Sequence, residues 1–241
     1  MWEERSWIAV VGARKASQWG LQKTREIVSE LVEAGFGIIS GLAYGIDGEA
    51  HKTCVEKGGV TWGVLGSGID RIYPARHIPL AKKMEEKGGI LSEFPLGTTP
   101  LAGHFPQRNR IISGLSHGVI IIEAAIKSGS LITARFALEQ GREVFTPVPP
   151  NENDVRYEGN RWLLEEGATP IDGEYRPREV AQFDCATAGH SPVLSFLAKP
   201  CSLDYLIAKT RQPSSEILSQ LSQLESQGLV KKLPGGRWQS L

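Results

Sequence analysis

Four β-branched residues in a row, Val119–Ile122, run straight into Glu123. Nothing in the run alternates, so a strand made from it must bury both faces, as strands do in parallel α/β sheets. Ahead of it stands a Phe-Pro pair followed by Arg108-Asn109-Arg110. Behind it Lys127-Ser128-Gly129-Ser130 leads into a helical pattern. A buried strand with basic and helix-opening segments at its ends is the layout of a binding crevice in a parallel sheet.

The same rhythm repeats along the chain. Short apolar runs at 7–11, 38–40, 61–65, 90–92 and 143–146 read as further strands. Helical spacing predicts helices over 21–34, 78–87, 108–115, 130–140 and 160–166, and one from Asp47, as N-cap, to Lys57. Strand, turn and helix in alternation predict an α/β fold, a doubly wound, mostly parallel, Rossmann-like sheet over residues 1–170. Residues 171–191 lose the periodicity and carry Gly173 and Pro177, which predicts a linker. Residues 192–241 change pattern. A short helix over Val193–Leu197, helices over 202–210 and 214–227, and a hairpin turning at Pro234–Gly236 predict a small winged-helix domain.

In a doubly wound sheet the loops after the strands gather on one edge. Here those loops are GARKAS, SGLAYGID, GSGIDRIYPAR, SEFPLG and EAAIKSGS, small-residue turns several of which carry a cation. Arg14, Lys15, Arg71, Arg76, Arg108, Arg110 and Lys127 fall in or beside them, with Tyr73 and Phe105 among them. Cations interleaved with aromatic rings suit a single-stranded nucleic acid, held through phosphates and stacking without sequence readout. The other reading pairs Arg108 and Arg110 with Glu93 or Glu123 in a structural network. Because 27 Lys and Arg balance 27 Asp and Glu, attraction for an anion has to come from this local clustering rather than from overall charge.

Other chemistries find little support. A nucleotide-triphosphate loop needs Gly-Lys-Ser/Thr, and no Gly-Lys pair occurs. The first turn has Gly12 but no second glycine two places on, and Gly66-Ser67-Gly68 is only a fragment of a dinucleotide fingerprint. Asp47, Glu93 and Glu123 could serve as acid and base, or could cap helix N-termini. His51 and Cys54 lie three apart, but structural zinc takes four nitrogen or sulfur ligands and no further cluster is near. No catalytic residue, metal or cofactor is therefore expected. Three cysteines without CxxC spacing suit a reducing compartment. With no apolar run near the roughly 20 residues that span a bilayer and no signal core at the N-terminus, a cytoplasmic protein is expected.

Six segments, GARKAS, SGLAYGIDGEAH, VLGSGIDRIYP, LSEFPLGTTP, FPQRNRIISGLS and EAAIKSGSLITARFALEQGREVF, stand in the order and spacing of the DNA-processing protein A (DprA, or Smf) family, and the sequence resembles that family from about Trp7 to Ala168. The tail fits the winged-helix domain many members carry. The resemblance implies a homodimeric, non-enzymatic protein that binds single-stranded DNA and loads RecA recombinase onto incoming DNA during natural transformation. It also implies that Arg14, Phe105 and Arg108–Arg110 contact DNA, with Lys127 and Ser128–Ser130 as pocket walls. The full expected DNA site comprises Arg14, Lys15, Ser40, Gly41, Gly66, Ser67, Arg76, Phe105, Arg108, Asn109, Arg110, Lys127, Ser128, Ser130 and Thr133.

Two features depart from the family. Many members have a helical domain ahead of the Rossmann part, which bears on partner binding. Pro149-Pro150 stands where relatives often have Pro-Gly, which bears on that loop's shape.

Two alternatives remain open. One is a nucleotide phosphoribohydrolase of related fold, although its PGGxGT loop is missing and Pro234–Gly236 falls in the expected hairpin. The other is duplex binding by the tail. There the third helix, with two Glu and no Lys or Arg, favours protein contact over a major groove.

Overall fold

The computed structural model describes residues 5–151, 153–171, 193, 196, 197, 201–210, 212–226, 229–233 and 237–240. It divides into two units, 1–180 and 181–241. The first carries strands β1 (Trp7–Val11), β2 (Gly37–Ser40), β3 (Thr61–Val64), β4 (Gly89–Leu91), β5 (Gly118–Ile121), β6 (Glu143–Pro147) and β7 (Thr169–Ile171). Helices α1 (Gln18–Glu33), α2 (Ile46–Glu56), α3 (Ile78–Met84), α4 (His104–Gly114), α5 (Gly129–Glu139) and α6 (Glu158–Glu165) alternate with them.

The strands lie in the order β4-β3-β2-β1-β5-β6-β7, and every pairing is parallel. The chain leaves β1 in one direction, reaches the edge at β4, then returns to β5 on the other side of β1. The strand order therefore reverses between β1 and β5, the place where doubly wound sheets bind ligands. β1, β2 and β5 are buried along their whole length, as the unalternating runs require. Their Ile and Val side chains contribute roughly 1.5–3 kcal/mol each on leaving water. Helix α1 buries Gly20, Thr24, Ile27, Val28 and Leu31, one face at helical spacing, and Ser17 caps it by accepting the Gly20 N–H at 3.0 Å.

Three expectations are corrected. α2 starts at Ile46, and its N-cap is Gly45 at φ +72°, so Asp47 lies inside the helix and caps nothing. α4 begins at His104, four residues earlier than the spacing suggests, because Pro106 sits in its first turn, where the missing N–H costs no hydrogen bond. A seventh strand, β7, extends the sheet past 170 and takes in Ile171, the first residue of the expected linker. Pro170 hid it: proline is admitted to a strand only at a sheet edge, which β7 is. The rest of 171–191 lies outside the described residues.

The second unit holds β8 (Cys201–Ser202), α7 (Leu203–Thr210), α8 (Ser214–Ser226), β9 (Val230–Leu233) and β10 (Arg237–Ser240), with an antiparallel sheet in the order β8-β10-β9. Val193, Leu197, Leu206, Ile217, Leu221, Leu224, Val230 and Trp238 form its core. This is a winged helix. Residues 193, 196 and 197 of the expected Val193–Leu197 helix are described, and the turn Pro234–Gly236 lies outside the described residues.

Candidate functional site

Three strand-end loops are laced together above the switch between β1 and β5. The Ala13 N–H donates to the Glu123 carbonyl at 2.8 Å, joining the loop after β1 to that after β5. The Ile46 N–H donates to the Ala13 carbonyl at 3.2 Å, adding the loop after β2. Glu123 itself is buried. It accepts the Ser17 hydroxyl at 2.6 Å and the Ser17 N–H at 3.0 Å, so it anchors the start of α1.

A cavity of about 310 Å³ opens over this knot. Gly12 and Arg14 border it after β1, Ala43 and Asp47 after β2, Phe105, Pro106, Arg108, Asn109 and Ile112 from α4, and Ser128, Gly129, Ser130 and Thr133 from the start of α5. The N-terminus of α5 forms one wall, and a helix N-terminus favours an anion. Ser128 caps that helix by accepting the Ser130 N–H, and Asn109 donates to the Gly129 carbonyl at 3.3 Å, which joins α4 to α5. At the mouth, the exposed Arg14 guanidinium lies over the Phe105 ring, 4.9 Å from its centroid, and Tyr73 flanks the same ring at 5.7 Å.

The floor is ionic. Arg108 is 3% exposed and donates through Nη1 to the carbonyls of Gly41, at 3.0 Å, and Val64. Asp47, also buried, accepts the Gly41 N–H at 3.1 Å. Burial pushes the Asp47 carboxyl above its usual range, against the pull of Arg108 and of backbone N–H groups. Burial likewise lowers Arg108 to about 10, with Asp47 opposing. A Cβ on Gly41 would fall 2.5 Å from an Arg108 nitrogen and 2.7 Å from an Asp47 oxygen, so only glycine lets the two charges reach that turn.

The expected site residues separate into groups. Arg14, Phe105, Arg108, Asn109, Ser128, Ser130 and Thr133 share the cavity. Lys15 and Arg76 line a second, neighbouring hollow, to which Arg14 also belongs. Lys127 is exposed on the loop after β5 but does not border the cavity.

The remaining expected residues stand apart from the cavity lining. Ser40 and Ser67 are interior, their hydroxyls donated to the carbonyls of Val10 and Arg71 at 2.6 Å each. Gly41 and Gly66 are buried; the first makes room for Arg108 and the second for Phe105. Arg110 is ion-paired to Glu93, the structural alternative allowed by the sequence. Arg108 is a floor, turned inward, rather than a side chain extended toward solvent.

Local sequence pattern gave no sign of Asp47 as the floor's counter-charge. His51 and Cys54 hold no common ligand position: the first bonds Thr61 at 2.7 Å and the second faces the Val60 carbonyl at 3.5 Å. Among the described residues no three His, Cys, Asp or Glu gather as a metal set. No helix among them is long and apolar enough to cross a membrane.

Residues 1–180 match the family model described as DNA recombination-mediator protein A, and residues 184–236 match the DprA winged helix domain. The chain is 43% identical over 249 residues to the Smf protein of Escherichia coli K12, covering 95% of this chain and 66% of that protein. DNA processing protein A from Streptococcus pneumoniae superposes with a TM-score of 0.65 at 40% identity, over 70% of this chain and 59% of that one. Its counterpart from Helicobacter pylori, whose structure was described for that protein's single-stranded DNA binding mode, gives 0.64 at 31% identity, over 74% and 78%. With both units matched in order, a Rossmann-like sheet and a winged helix, the chain belongs to the DNA recombination-mediator protein A (DprA/Smf) family.

Proposed function

We propose that this protein binds single-stranded DNA at the switch-point cavity and acts, as a homodimer in the cytoplasm, as a recombination mediator that loads RecA onto incoming DNA in natural transformation. The observation that carries the DNA contact is Arg14. It is an exposed guanidinium resting on the Phe105 ring at the mouth of a cavity walled by a helix N-terminus. A phosphate would meet the Arg14 charge and the α5 N-terminus, and a base would meet the Phe105 face. Partner and dimer rest on the family alone.

A role without catalysis is supported by the state of the three candidate carboxylates. Glu123 is bonded to Ser17, Glu93 is paired with Arg110, and Asp47 is turned to the Gly41 N–H beside Arg108. All three are held by partners in the fold, although Asp47 also borders the cavity.

Fluorescence anisotropy with a labelled single strand and the matched duplex tests this reading. The single strand should bind more tightly, and Arg14→Ala should weaken it by about tenfold or more, the loss of a charged contact worth ~1.5–3 kcal/mol. Binding that is weak and indifferent to Arg14→Ala, together with release of base from a nucleoside monophosphate that Asp47→Asn abolishes, would replace the reading with the enzymatic one.

A further inference from the structure

Arg14 borders two hollows. The second, about 930 Å³, runs from the Arg14-Lys15 loop along the gap between α2 and the segment Arg76–Lys83. Its floor is apolar, made by Leu21, Val55, Pro79 and Leu80, and cations stand around it. Besides Arg14 and Lys15 these are Lys52, Arg76 and Lys83. Two carboxylates share the lining, and both are engaged. Glu49 is paired with Arg25 at 2.7 Å, and Glu56 lies 4.0 Å from Lys52. The local balance is therefore positive in a chain whose net charge is zero.

At the end nearest Arg14 stands Tyr44. The residue is 37% exposed; its ring meets that of His77 in a T-shaped contact at 5.6 Å and lies under the Arg76 guanidinium at 5.3 Å. His77 is fixed in turn by a 2.9 Å hydrogen bond to the Leu42 carbonyl. Tyr44 with Arg76 thus repeats the arrangement of Phe105 with Arg14: an aromatic face with a guanidinium over it, beside a cationic hollow. Such a pair accepts a base on the ring and a phosphate on the cation.

We propose that the α2–α3 groove is a second nucleic-acid subsite, continuous with the first through Arg14, which takes a further stretch of the same single strand and stacks a base on Tyr44. The inference rests on the reading of the switch-point cavity as a single-strand site and lengthens its track. Arg14 passes the backbone from one hollow to the other. Arg76 and Lys83 hold phosphates beyond it, and Tyr44 supplies the second stacking platform.

The experiment is a length series. Oligothymidylates from about 4 to about 16 nucleotides, a span typical of single-strand sites, are titrated against the whole chain and against Tyr44→Ala, Tyr44→Phe, Arg76→Ala and Arg14→Ala. Short oligomers should bind Tyr44→Ala as they bind the native protein. Long ones should lose on the order of five- to 100-fold, the effect of one stacked base. Tyr44→Phe, which keeps the ring, should restore the long-oligomer affinity. Arg76→Ala should lower the log–log salt slope by about 0.7 for long oligomers only.

Equal affinity of native and Tyr44→Ala protein at every length, with Arg14→Ala weakened throughout, would overturn the second subsite and leave the first standing. Loss in Tyr44→Ala that is the same for short and long oligomers would also overturn it, because Tyr44 would then be shaping the first cavity. No binding at any length, unaffected by Arg14→Ala, would remove both.

Discussion

Arg108 and Arg110 stand two apart on α4 and have opposite environments. Arg110 meets Glu93 at the surface, where an ion pair is worth little, whereas Arg108 is buried beside Asp47. Removing a buried charge leaves its counter-charge stranded. Arg108→Met should cost about 3–5 kcal/mol, read as a fall in the urea midpoint. Adding Asp47→Asn should recover part of that loss; a double variant no better than the single would refute the pairing.

A second buried group sets a pH limit. Thr61 donates its hydroxyl to the Ile38 carbonyl, so the bond between Thr61 and His51 must be donated by His51 Nδ1. Nε2 is then a bare lone pair without a partner among the described residues. Burial, reinforced by the nearby His77 and Arg108, lowers His51 from 6.5 to about 3. The unfolded chain takes up a proton there that the folded chain refuses, so stability present above pH 6.5 is lost as pH falls toward 3. Between pH 7 and pH 5 the His51 contribution should fall by roughly 2 kcal/mol. Denaturation midpoints at the two pH values should converge in His51→Gln relative to the native protein.

At the scale of elements, the site depends on how three loops are tied. Gly45 begins α2 at φ +72°, and a Cβ there would stand 2.2 Å from the Ala13 carbonyl oxygen. Ala13 is also the residue that joins the loop after β1 to Glu123. Gly45→Ala should therefore destabilise the protein by more than the ~1–3 kcal/mol of a sparsely populated backbone conformation alone, and should shift Arg14. Single-strand affinity would fall with it. Full affinity in a Gly45→Ala protein of lowered thermal midpoint would show that the loops are not coupled.

These loops were visible in the sequence as glycine-bearing turns after apolar runs, because both signals are local. The start of α4 was not. A Phe-Pro pair looks like loop, and only the surrounding structure shows Pro106 seated in a first helical turn. β7 was hidden in the same way, since three residues with a central proline become a strand only beside β6.

Over the whole molecule, each unit has its own core, and all residues of the switch-point cavity belong to the first. Leu221→Ala, in the second core, should cost that unit roughly 2–5 kcal/mol and leave the affinity for a short single strand unchanged. Limited proteolysis and anisotropy on the same sample would check both. A parallel loss of affinity would bring the winged helix into the DNA contact.

The sequence by itself determined the class of fold, the order of its elements and the edge on which the functional residues gather, because hydrophobic period and turn chemistry act over a few residues. Only the tertiary structure decided which cations reach solvent. Arg14 stays out over Phe105, Arg108 is drawn in by the carbonyls of Gly41 and Val64, and Arg110 remains at the surface beside Glu93. The partners of Arg108 lie 67 and 44 residues away. No local pattern encodes contacts of that separation, because they exist only once the sheet has brought β2 and β3 beneath α4.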